Sequence, residues 1–401
     1  PHAGSALTAL LATARAEGAS DLHVVAARPP LLRVAGELAP RGEPLAAADV
    51  EAMVASGTPP GANVALRDAG SCDFALELPD LGRFRVNVAR QRTGLKLSFR
   101  VVALEIPTLA ALGLPPELAN VTRLHQGLVV VTGPTGHGKT STLAALVDLL
   151  NRETTHHIIT VEDPVEFVHP RRRALVSQRE VGSHTRSFQT ALKAALREDP
   201  DVIVVGELRD TETVQMALAA SETGHLVLGT MNTPSAAKTI DRLVDLFPPA
   251  DQQQVRATLA GGLKLVASQR LLPRPDRAGM SVAVELLPGT LALWNLIRDA
   301  KTFQIPSLMQ RGRGLGVIRL NDSLAELVRA HRTTAAAALA ASDAPEELDA
   351  LLQRRDAPAN AYGPPPGNAP PQPGSRPPPP RDDQGKGLFQ RAGAIFGKKG
   401  S

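Results

Sequence analysis

Four short apolar runs, each separated from the next by a helical stretch, constrain the fold of this chain more than any other feature. The runs are almost continuously apolar, as strands buried on both faces of a sheet should be. Their alternation with helices predicts parallel strands joined by crossover helices. The runs are GLVVVTG, HHIITVED, DVIVVGE and HLVLGTM, and helices are predicted near 139–150, 186–198, 211–222, 235–246, 251–268, 291–299 and 322–340. We therefore expect an α/β domain with a parallel-rich sheet over residues 127–345.

The chain on either side of this domain follows other patterns. Residues 1–105 combine an apolar helix face with alternating segments such as GRFRVNVARQ, which predicts a small α+β domain with antiparallel strands. Residues 106–126 are rich in proline and glycine and are interpreted as a linker. Residues 346–401 are predicted to form a disordered, proline-rich tail.

The composition narrows the classes of function. The net charge of the 401 residues is only +4, with acidic and basic residues mixed, so dedicated binding of nucleic acid is not expected. Cys72 is the single cysteine, which excludes an intramolecular disulfide framework and a zinc cluster of cysteines and favours the reducing cytosol. No apolar run approaches the ~20 residues needed to span a bilayer. The first residues lack the basic region and cleavage site of a signal peptide.

A glycine-rich loop lies directly between the first apolar run and the first helix. Its sequence, GPTGHGKT, fits the pattern G-x-x-x-x-G-K-T/S, whose glycines let successive backbone N–H groups surround phosphate oxygens. Lys139 is predicted to reach the β and γ phosphates of ATP, and the Thr140 hydroxyl to bind Mg²⁺. The nucleotide contacts are predicted from Gly133, Pro134, Thr135, Gly136, His137, Gly138, Lys139, Thr140 and Ser141. A glycine-rich turn with an incidental lysine is the alternative, and the strand–loop–helix context disfavours it.

Acidic residues end two of the other apolar runs. Glu162 and Asp163 close the second run, and Glu207 closes the third. Because parallel strands bring their carboxyl ends to one edge, these carboxylates are expected beside the phosphate loop, where they can order Mg²⁺ and polarise an attacking water. For Glu162 and Asp163 the alternative is a role in capping the next turn.

The fourth run begins and ends with polar residues. Asn232 and Thr233 at its far end are expected to face the nucleotide and to sense its γ phosphate. His225 precedes the strand and lies at the opposite end unless the chain bends. We include both His225 and Asn232 among the predicted nucleotide-binding residues.

Taken together, these motifs resemble those of the type IV pilus retraction ATPase (PilT) family of secretion motors. The resemblance runs from about residue 20 to residue 330, with every segment in the family's order. The segments are ASDLHVVAARPPLLRVAGEL, GRFRVNV, GPTGHGKTSTLAAL, HHIITVEDPVEFVH, VSQREVG, ALREDPDVIVVGELRDTET, TGHLVLGTMNT and SAAKTIDRLVDLFP. The resemblance implies a PAS-like N-terminal domain, a RecA-like ATPase domain and a homohexameric ring that holds ATP between domains and between subunits.

The resemblance also implies roles for individual residues. Glu162 would be the general base and Glu207 an atypical Walker B acid near the metal, with Lys139 completing the catalytic set. Arg85 in RFRVN and Arg100 in SFR match arginines that reach the phosphates from the N-terminal domain. From the residues themselves, plain surface charge is an alternative explanation of both arginines.

Two positions depart from the family pattern. Asn232 stands in place of the second histidine of the family's His box, and His137 occupies a loop position that is usually serine. Asparagine can donate and accept hydrogen bonds but cannot carry the charge of a proton. We expect ATP binding to be intact. The alternative to a retraction motor is a weakly hydrolysing paralogue that regulates or assists the main pilus motor.

Three features favour the retraction branch over extension and type II secretion ATPases. The chain has one cysteine instead of the paired Cys-x-x-Cys insertion that those enzymes usually carry, and its N-terminal domain is short. The segment ALWNLIRDAKTFQI resembles a C-terminal helix motif of retraction ATPases, with Trp294 in place of arginine and Asp299 in place of glutamate.

The implied partners are an inner-membrane pilus platform protein and other pilus ATPases. The implied location is the cytoplasm, peripheral to the inner membrane at the pilus base.

The last residues form a separate basic and apolar segment, GKGLFQRAGAIFGKKGS. Helical spacing would place Leu388, Ala392, Ile395 and Phe396 on one face, flanked by basic residues. On a proline-rich tether, such a segment is interpreted as a docking peptide for a partner or for an anionic membrane surface. An unstructured solubilising end is the alternative, because the glycines of the segment weaken a helix.

Overall fold

Two sheets with separate hydrophobic cores make up the part of the chain that the computed structural model describes, residues 4–34, 36–276 and 279–354. The predicted docking peptide, residues 385–401, lies outside the described residues. Within the described ranges, none of the helices combines the length and the apolarity needed to cross a membrane.

The N-terminal part is an antiparallel sheet with three helices packed on one face. Its helices are α1 (Ser5–Ala16), α2 (Ala47–Gly57) and α3 (Pro60–Ala69), and its strands are β1 (Asp21–Val25), β2 (Leu31–Val34), β3 (Glu37–Pro40), β4 (Ser71–Leu78), β5 (Gly82–Gln91) and β6 (Gly94–Val101). The strand order is β3-β2-β1-β6-β5-β4. Alternation along β5 places Phe84 and Val86 in the core and Arg85 on the other face. The sequence patterns predict the antiparallel strands but not α2 or α3.

The second part is an α/β domain with a seven-stranded sheet. Its strands are β7 (Gly127–Thr132), β8 (His157–Glu162), β9 (Leu175–Glu180), β10 (Val202–Val205), β11 (Leu226–Met231), β12 (Leu263–Pro273) and β13 (Met280–Pro288). Its helices are α4 (Lys139–Glu153), α5 (Phe188–Ala195), α6 (Thr211–Glu222), α7 (Ala236–Asp245), α8 (Gln252–Gly262), α9 (Leu291–Arg298), α10 (Ile305–Arg311), α11 (Leu320–Arg329), α12 (Ala335–Ala341) and α13 (Pro345–Gln353).

The order of the seven strands is β13-β12-β7-β11-β10-β8-β9, and all neighbours are parallel except β12 and β13. Every residue of β7, β10 and β11 is buried, as expected of strands covered by helices on both faces. The predicted α/β class with a parallel-rich sheet is confirmed.

The helix predicted near 251–268 is wrong over its last third, residues 263–268. α8 ends at Gly262, and Leu263 begins the long strand β12, which pairs in parallel with β7. Six of the first seven residues of β12 are buried. Apolar periodicity cannot distinguish a strand buried in this way from a buried helix.

The single helix predicted near 322–340 is two helices, α11 and α12. His331 has a left-handed backbone with φ 54°, which an α-helix cannot accommodate. The Thr334 side chain then accepts a hydrogen bond from the Ala337 N–H and caps the start of α12. The local cap therefore restarts a helix that the apolar pattern predicts to be continuous.

Two segments predicted to be unpacked are partly folded. Residues Pro116–Arg123, inside the predicted linker, form a 3-10 helix that buries Leu118 and Val121. The disordered tail predicted from residue 346 is wrong over α13, whose Leu348 is fully buried with residues of α11 and α12. In both segments, a few apolar side chains find partners that are remote in sequence.

Arg83 joins the N-terminal sheet to the α/β domain. Its guanidinium donates to the Val165 carbonyl at 2.5 Å and forms an ion pair with the buried Glu180 at 2.7 Å. Glu180 also accepts hydrogen bonds from the Val165 N–H and the Ser183 hydroxyl. These contacts hold the segment that follows Glu162 against the N-terminal sheet.

We expect Arg83→Met to lower the free energy of unfolding by about 3 kcal/mol, because Glu180 would stay buried without its cation. Chemical denaturation of the full chain measures the change. Arg67→Met is the matched control, since Arg67 pairs with Asp68 on the surface. The control should change the free energy of unfolding by less than about 0.5 kcal/mol. Equal effects of the two substitutions would contradict a stabilising role for the Arg83 contact.

Candidate functional site

The carboxyl ends of four parallel strands meet at one edge of the second sheet. Thr132 at the end of β7 is paired with Met231 at the end of β11. Val205 at the end of β10 is paired with Val161, the last residue but one of β8. The structure thereby brings to one edge the residues 133–141, 162–163, 206–207 and 232–233.

The phosphate loop turns on three glycines. Their φ angles are 146° at Gly133, 81° at Gly136 and 79° at Gly138, values that side-chain-bearing residues rarely adopt. Gly133 also lacks room for a side chain, because a Cβ atom would lie 2.4 Å from the Gln269 carbonyl oxygen. The loop leads directly into α4, which begins at Lys139. The free N–H groups of the first helical turn therefore add positive potential beside the loop.

Lys139 folds back over the loop. Its Nζ donates to the carbonyl oxygens of Gly133 at 3.0 Å and Pro134 at 2.8 Å. Burial lowers the pKa of Lys139, and the nearby Glu207 carboxylate raises it in part. A phosphate would offer this ammonium a charged acceptor in place of two neutral carbonyl oxygens. Hydrogen bonds between charged groups are the stronger kind.

Strand β12 anchors the phosphate loop. The buried Gln269 donates from Nε2 to the His137 carbonyl at 2.5 Å and accepts a hydrogen bond from the Thr142 hydroxyl at 2.9 Å. The Leu271 N–H donates to Nδ1 of the His137 ring at 3.1 Å. Burial lowers the pKa of His137, which suits a ring nitrogen that accepts a hydrogen bond. His137 thus ties the loop to the neighbouring strand.

Glu162 ends β8 as a half-buried carboxylate. Its Oε1 accepts hydrogen bonds from the Thr160 hydroxyl at 2.7 Å and from Gln178 Nε2 at 3.1 Å. Burial raises the pKa of Glu162, and the two hydrogen bonds lower it in part. A carboxylate with a raised pKa is suited to accepting a proton near neutral pH. Asp163 is exposed, and its peptide bond to Pro164 is cis.

The polar end of β11 contacts the ends of two neighbouring strands. Asn232 Nδ2 donates to Oε1 of Glu207 at 2.5 Å. The Thr233 hydroxyl lies within hydrogen-bonding distance of the hydroxyls of Thr132, which precedes the phosphate loop, and Thr239, which belongs to α7. Asn232 therefore contacts the predicted metal-binding acid, and Thr233 connects the loop's strand to the next helix.

Arg85 and Arg100 lie opposite each other on β5 and β6. Arg85 pairs with Glu166 at 3.8 Å, and Arg100 pairs with Asp21 at 3.1 Å. Burial raises the pKa of Glu166, and both arginines lower it in part. The two arginines thus face the segment after Glu162, and the structure does not bring them to the phosphate loop. Their side chains remain 42% and 57% exposed, which leaves both accessible to a ligand or a neighbouring molecule.

His225 lies at the opposite edge of the sheet from the phosphate loop. It directly precedes β11, and its carbonyl oxygen accepts a hydrogen bond from Gly127, the first residue of β7. Its ring nitrogen Nδ1 lies 3.1 Å from the Ala220 carbonyl oxygen. The chain does not bend at this point, so the fold separates His225 from Asn232.

The sequence patterns assign no role to three side chains of this edge. Thr160, Gln178 and Gln269 contact Glu162 or the phosphate loop. Gln269 lies in a stretch predicted to be helical, and Gln178 lies on β9, which the sequence patterns do not predict. A prediction of both stretches as strands would have placed the two glutamines near the site.

Comparison with known proteins places this site in a family. The type II/IV secretion system protein family matches residues 5–285. The type IV pilus retraction ATPase PilT of Pseudomonas aeruginosa is 45% identical over 323 residues, which cover 80% of this chain and 94% of that protein. The twitching motility protein of Neisseria gonorrhoeae is 41% identical over 324 residues, which cover 80% of this chain and 87% of that protein.

A solved structure agrees with these relatives. The crystal structure of the pilus retraction motor PilT with bound ADP matches with a TM-score of 0.76 and 42% identity, over 85% of this chain and 98% of that chain. The likeness spans both the N-terminal sheet and the α/β domain. The chain therefore belongs to the type II/IV secretion system protein family and, within it, to the PilT-like type IV pilus retraction ATPases.

Proposed function

We propose that this chain hydrolyses ATP with Mg²⁺ and uses the reaction to retract type IV pili. The observation that carries the proposal is the meeting of Lys139, Glu162 and Glu207 at one sheet edge, each at or beyond the carboxyl end of a different strand. The relatives named as retraction and twitching motility proteins support the use to which the hydrolysis is put.

Phosphate binding is assigned to the backbone of residues 133–141 and to Lys139. The Lys139 ammonium would exchange the carbonyl oxygens of Gly133 and Pro134 for oxygens of the β and γ phosphates. A fixed cation at this position stabilises the charge that develops on the phosphates during hydrolysis.

The residues beside Lys139 fit a magnesium ion that is held partly by the nucleotide. Thr140 supplies a hydroxyl oxygen and Glu207 a carboxylate, which are the oxygen donors that Mg²⁺ prefers. Among the described residues, no cluster of three or more His, Cys, Asp or Glu could hold a metal by itself. One or two protein oxygens completed by phosphate and water is the usual arrangement for Mg²⁺. When bound, the ion would neutralise phosphate charge.

Glu162 is assigned the role of general base. Its carboxylate would take a proton from the attacking water as the water oxygen bonds to the γ phosphorus. The bond from that phosphorus to the β–γ bridging oxygen breaks in the same reaction and releases ADP. The pKa of Glu162, which burial raises, supports this role, because a carboxylate with a higher pKa is a stronger base.

Assembly into a homohexamer is part of the proposal. The exposed pair Arg85 and Arg100 would add positive charge to the phosphates only when a neighbouring subunit or a domain movement brings the two together. Nucleotide binding between subunits would then couple hydrolysis to movement. The partner that receives this movement is proposed to be a platform protein of the inner membrane, with the ring on its cytoplasmic side at the pilus base.

No observation favours the alternative of a weakly hydrolysing regulatory paralogue. Asn232 replaces a histidine of the family pattern, but its amide donates directly to Glu207. Asn232 therefore makes a polar contact with the predicted metal-binding acid.

Phosphate release by the purified full chain, measured together with pilus retraction in a host that lacks its own retraction ATPase, tests the proposal. We expect turnover with MgATP that is lost when EDTA removes Mg²⁺, and we expect expression of the chain to restore retraction. Turnover that is insensitive to EDTA would contradict the metal assignment. Turnover without restored retraction would contradict the motor assignment.

A further inference from the structure

Gln178 connects the Glu162 carboxylate to a neighbouring stretch of backbone. It lies on β9, directly opposite Thr160 of β8. Its Nε2 donates to the Phe167 carbonyl at 2.9 Å and to Oε1 of Glu162 at 3.1 Å. Its Oε1 accepts a hydrogen bond from the His169 N–H at 2.8 Å. The amide therefore makes three hydrogen bonds, two of them to backbone groups.

The two backbone partners set the orientation of this amide. A carbonyl oxygen can only accept a hydrogen bond, and a backbone N–H can only donate one. The Phe167 carbonyl therefore requires the NH₂ group of Gln178, and the His169 N–H requires its oxygen. A flipped amide would lose both bonds, so the orientation follows from hydrogen-bond chemistry. The second N–H of the same NH₂ group is thereby directed at Glu162.

Thr160 supplies a second donor to the same carboxylate oxygen. Thr160 and Glu162 are two residues apart on β8, so their side chains lie on the same face of the sheet. The Thr160 hydroxyl and Gln178 Nε2 both donate to Oε1. Within the described part of the chain, these are the hydrogen bonds to the Glu162 carboxylate. They leave the lone pairs of Oε2 for a water molecule.

The charged groups that face Glu162 come from two elements. Burial is the main cause that raises the pKa of Glu162. Glu166, which follows it in the chain, adds to the rise, whereas Arg83 on β5 of the N-terminal sheet lowers the pKa. Arg83 also donates to the Val165 carbonyl, two residues before the carbonyl that Gln178 holds at Phe167. The segment after Glu162 is thus held at Val165 and at Phe167.

We infer that Gln178 is a positioning residue for hydrolysis, which together with Thr160 holds Oε1 of Glu162 and leaves Oε2 to accept the proton of the attacking water. The inference rests on the proposed role of Glu162 as the general base. Gln178 belongs to the motif VSQREVG, and the inference gives this motif the role of orienting the general base.

The test compares kcat with KM in three variants of the full chain. We expect Gln178→Leu to lower kcat about 10- to 100-fold, because the Glu162 carboxylate is then no longer held in one orientation. KM and the affinity for a fluorescent ATP analogue should stay within about twofold of the unaltered chain, because ground-state binding does not involve Glu162. Gln178→Glu keeps the size of the side chain and an acceptor for His169, but it places a like charge beside Glu162. It should be at least as impaired as Gln178→Leu.

Thr160→Val is the third variant and leaves the segment 167–169 intact. It should lower kcat with KM unchanged, even if Gln178→Leu folds poorly because it leaves the Phe167 and His169 backbone groups unpaired. Gln252→Leu is the matched control, since the Gln252 amide also holds a backbone carbonyl, that of Phe247 on another part of the domain. Its kcat should stay within about twofold of the unaltered chain.

Glu162→Gln separates the two possible failures. If Glu162→Gln is inactive while both Gln178→Leu and Thr160→Val keep the original kcat, the positioning role is overturned and the base assignment stands. If Glu162→Gln keeps the original kcat, the base assignment is wrong and the positioning role falls with it. A rise in KM with unchanged kcat in the Gln178 variants would also overturn the inference, because it would indicate a role in nucleotide binding.

Discussion

Replacing Lys139 with alanine is expected to lower the rate of ATP hydrolysis at least about 100-fold, the loss typical when one preorganised donor to a developing charge is removed. The Lys139 ammonium is half-buried and lies over the loop, where two carbonyl oxygens hold it in place. Alanine would remove that charge and leave the glycine turns of the backbone unchanged. Phosphate release under saturating MgATP measures the effect, and binding of a fluorescent ATP analogue measures the accompanying loss of affinity.

Lys238→Ala provides the comparison for Lys139→Ala. Lys238 lies in the first turn of α7, its side chain is 68% exposed, and it forms a surface ion pair with Asp241 at 3.6 Å. Its loss should leave turnover within about twofold of the unaltered chain, because exposed pairs contribute little. If Lys139→Ala and Lys238→Ala had equal turnover, the phosphate loop would not bind the hydrolysed nucleotide. This result would contradict the proposed function.

The phosphate loop and the acidic strand ends can be predicted from sequence because both are local features. Gly133, Gly136 and Gly138 are required by backbone angles within a single turn. Glu162 and Glu207 follow apolar runs whose burial on both faces makes them strands. Once the strands are parallel, the meeting of these residues at one edge follows from topology. The same rule separates His225, which precedes its strand, from Asn232, which follows it, although both are among the residues predicted to bind the nucleotide.

The supporting residues cannot be predicted in this way, because tertiary contacts define them. Gln269 anchors the phosphate loop from β12. The first part of this strand is almost wholly buried, so its apolar pattern cannot be distinguished from that of a buried helix. Gln178 orients Glu162 from β9, which shows no apolar alternation and in which Glu180 is the one buried residue. Arg83 is one of several arginines on β5, and only its contact with Glu180 distinguishes it. Each of these side chains acts on a partner that is remote in sequence.

The pair Arg85 and Arg100 does not reach the phosphate loop within a single chain. Family resemblance predicts that Arg85 and Arg100 reach the phosphates, yet both form their ion pairs with Glu166 and Asp21 instead. Their exposure on an open sheet face is compatible with a phosphate contact made by another subunit. Under the proposed function, a neighbouring subunit or a domain movement would have to bring the two arginines to the nucleotide.

Replacing Glu162 with glutamine is expected to lower kcat about 100- to 10,000-fold, the range that general bases contribute. Glutamine keeps the size of the side chain but cannot take a proton from water, so binding of ATP should be nearly unchanged. Glu222→Gln is the control, because Glu222 is exposed at the end of α6, and its turnover should match that of the unaltered chain. Near-normal turnover by Glu162→Gln would assign the base to another group.

The pH dependence of kcat tests the same assignment independently. Burial raises the pKa of Glu162 above its ordinary value. The base works only when ionised, so kcat should fall as the pH is lowered through this raised pKa. The fall should therefore begin at a higher pH than it would for an exposed glutamate, whose pKa is about 4.3. The residual activity of Glu162→Gln should lack this acidic fall, because the titrating group is gone. A fall of the same shape in both proteins would show that a group other than Glu162 controls the acidic limb.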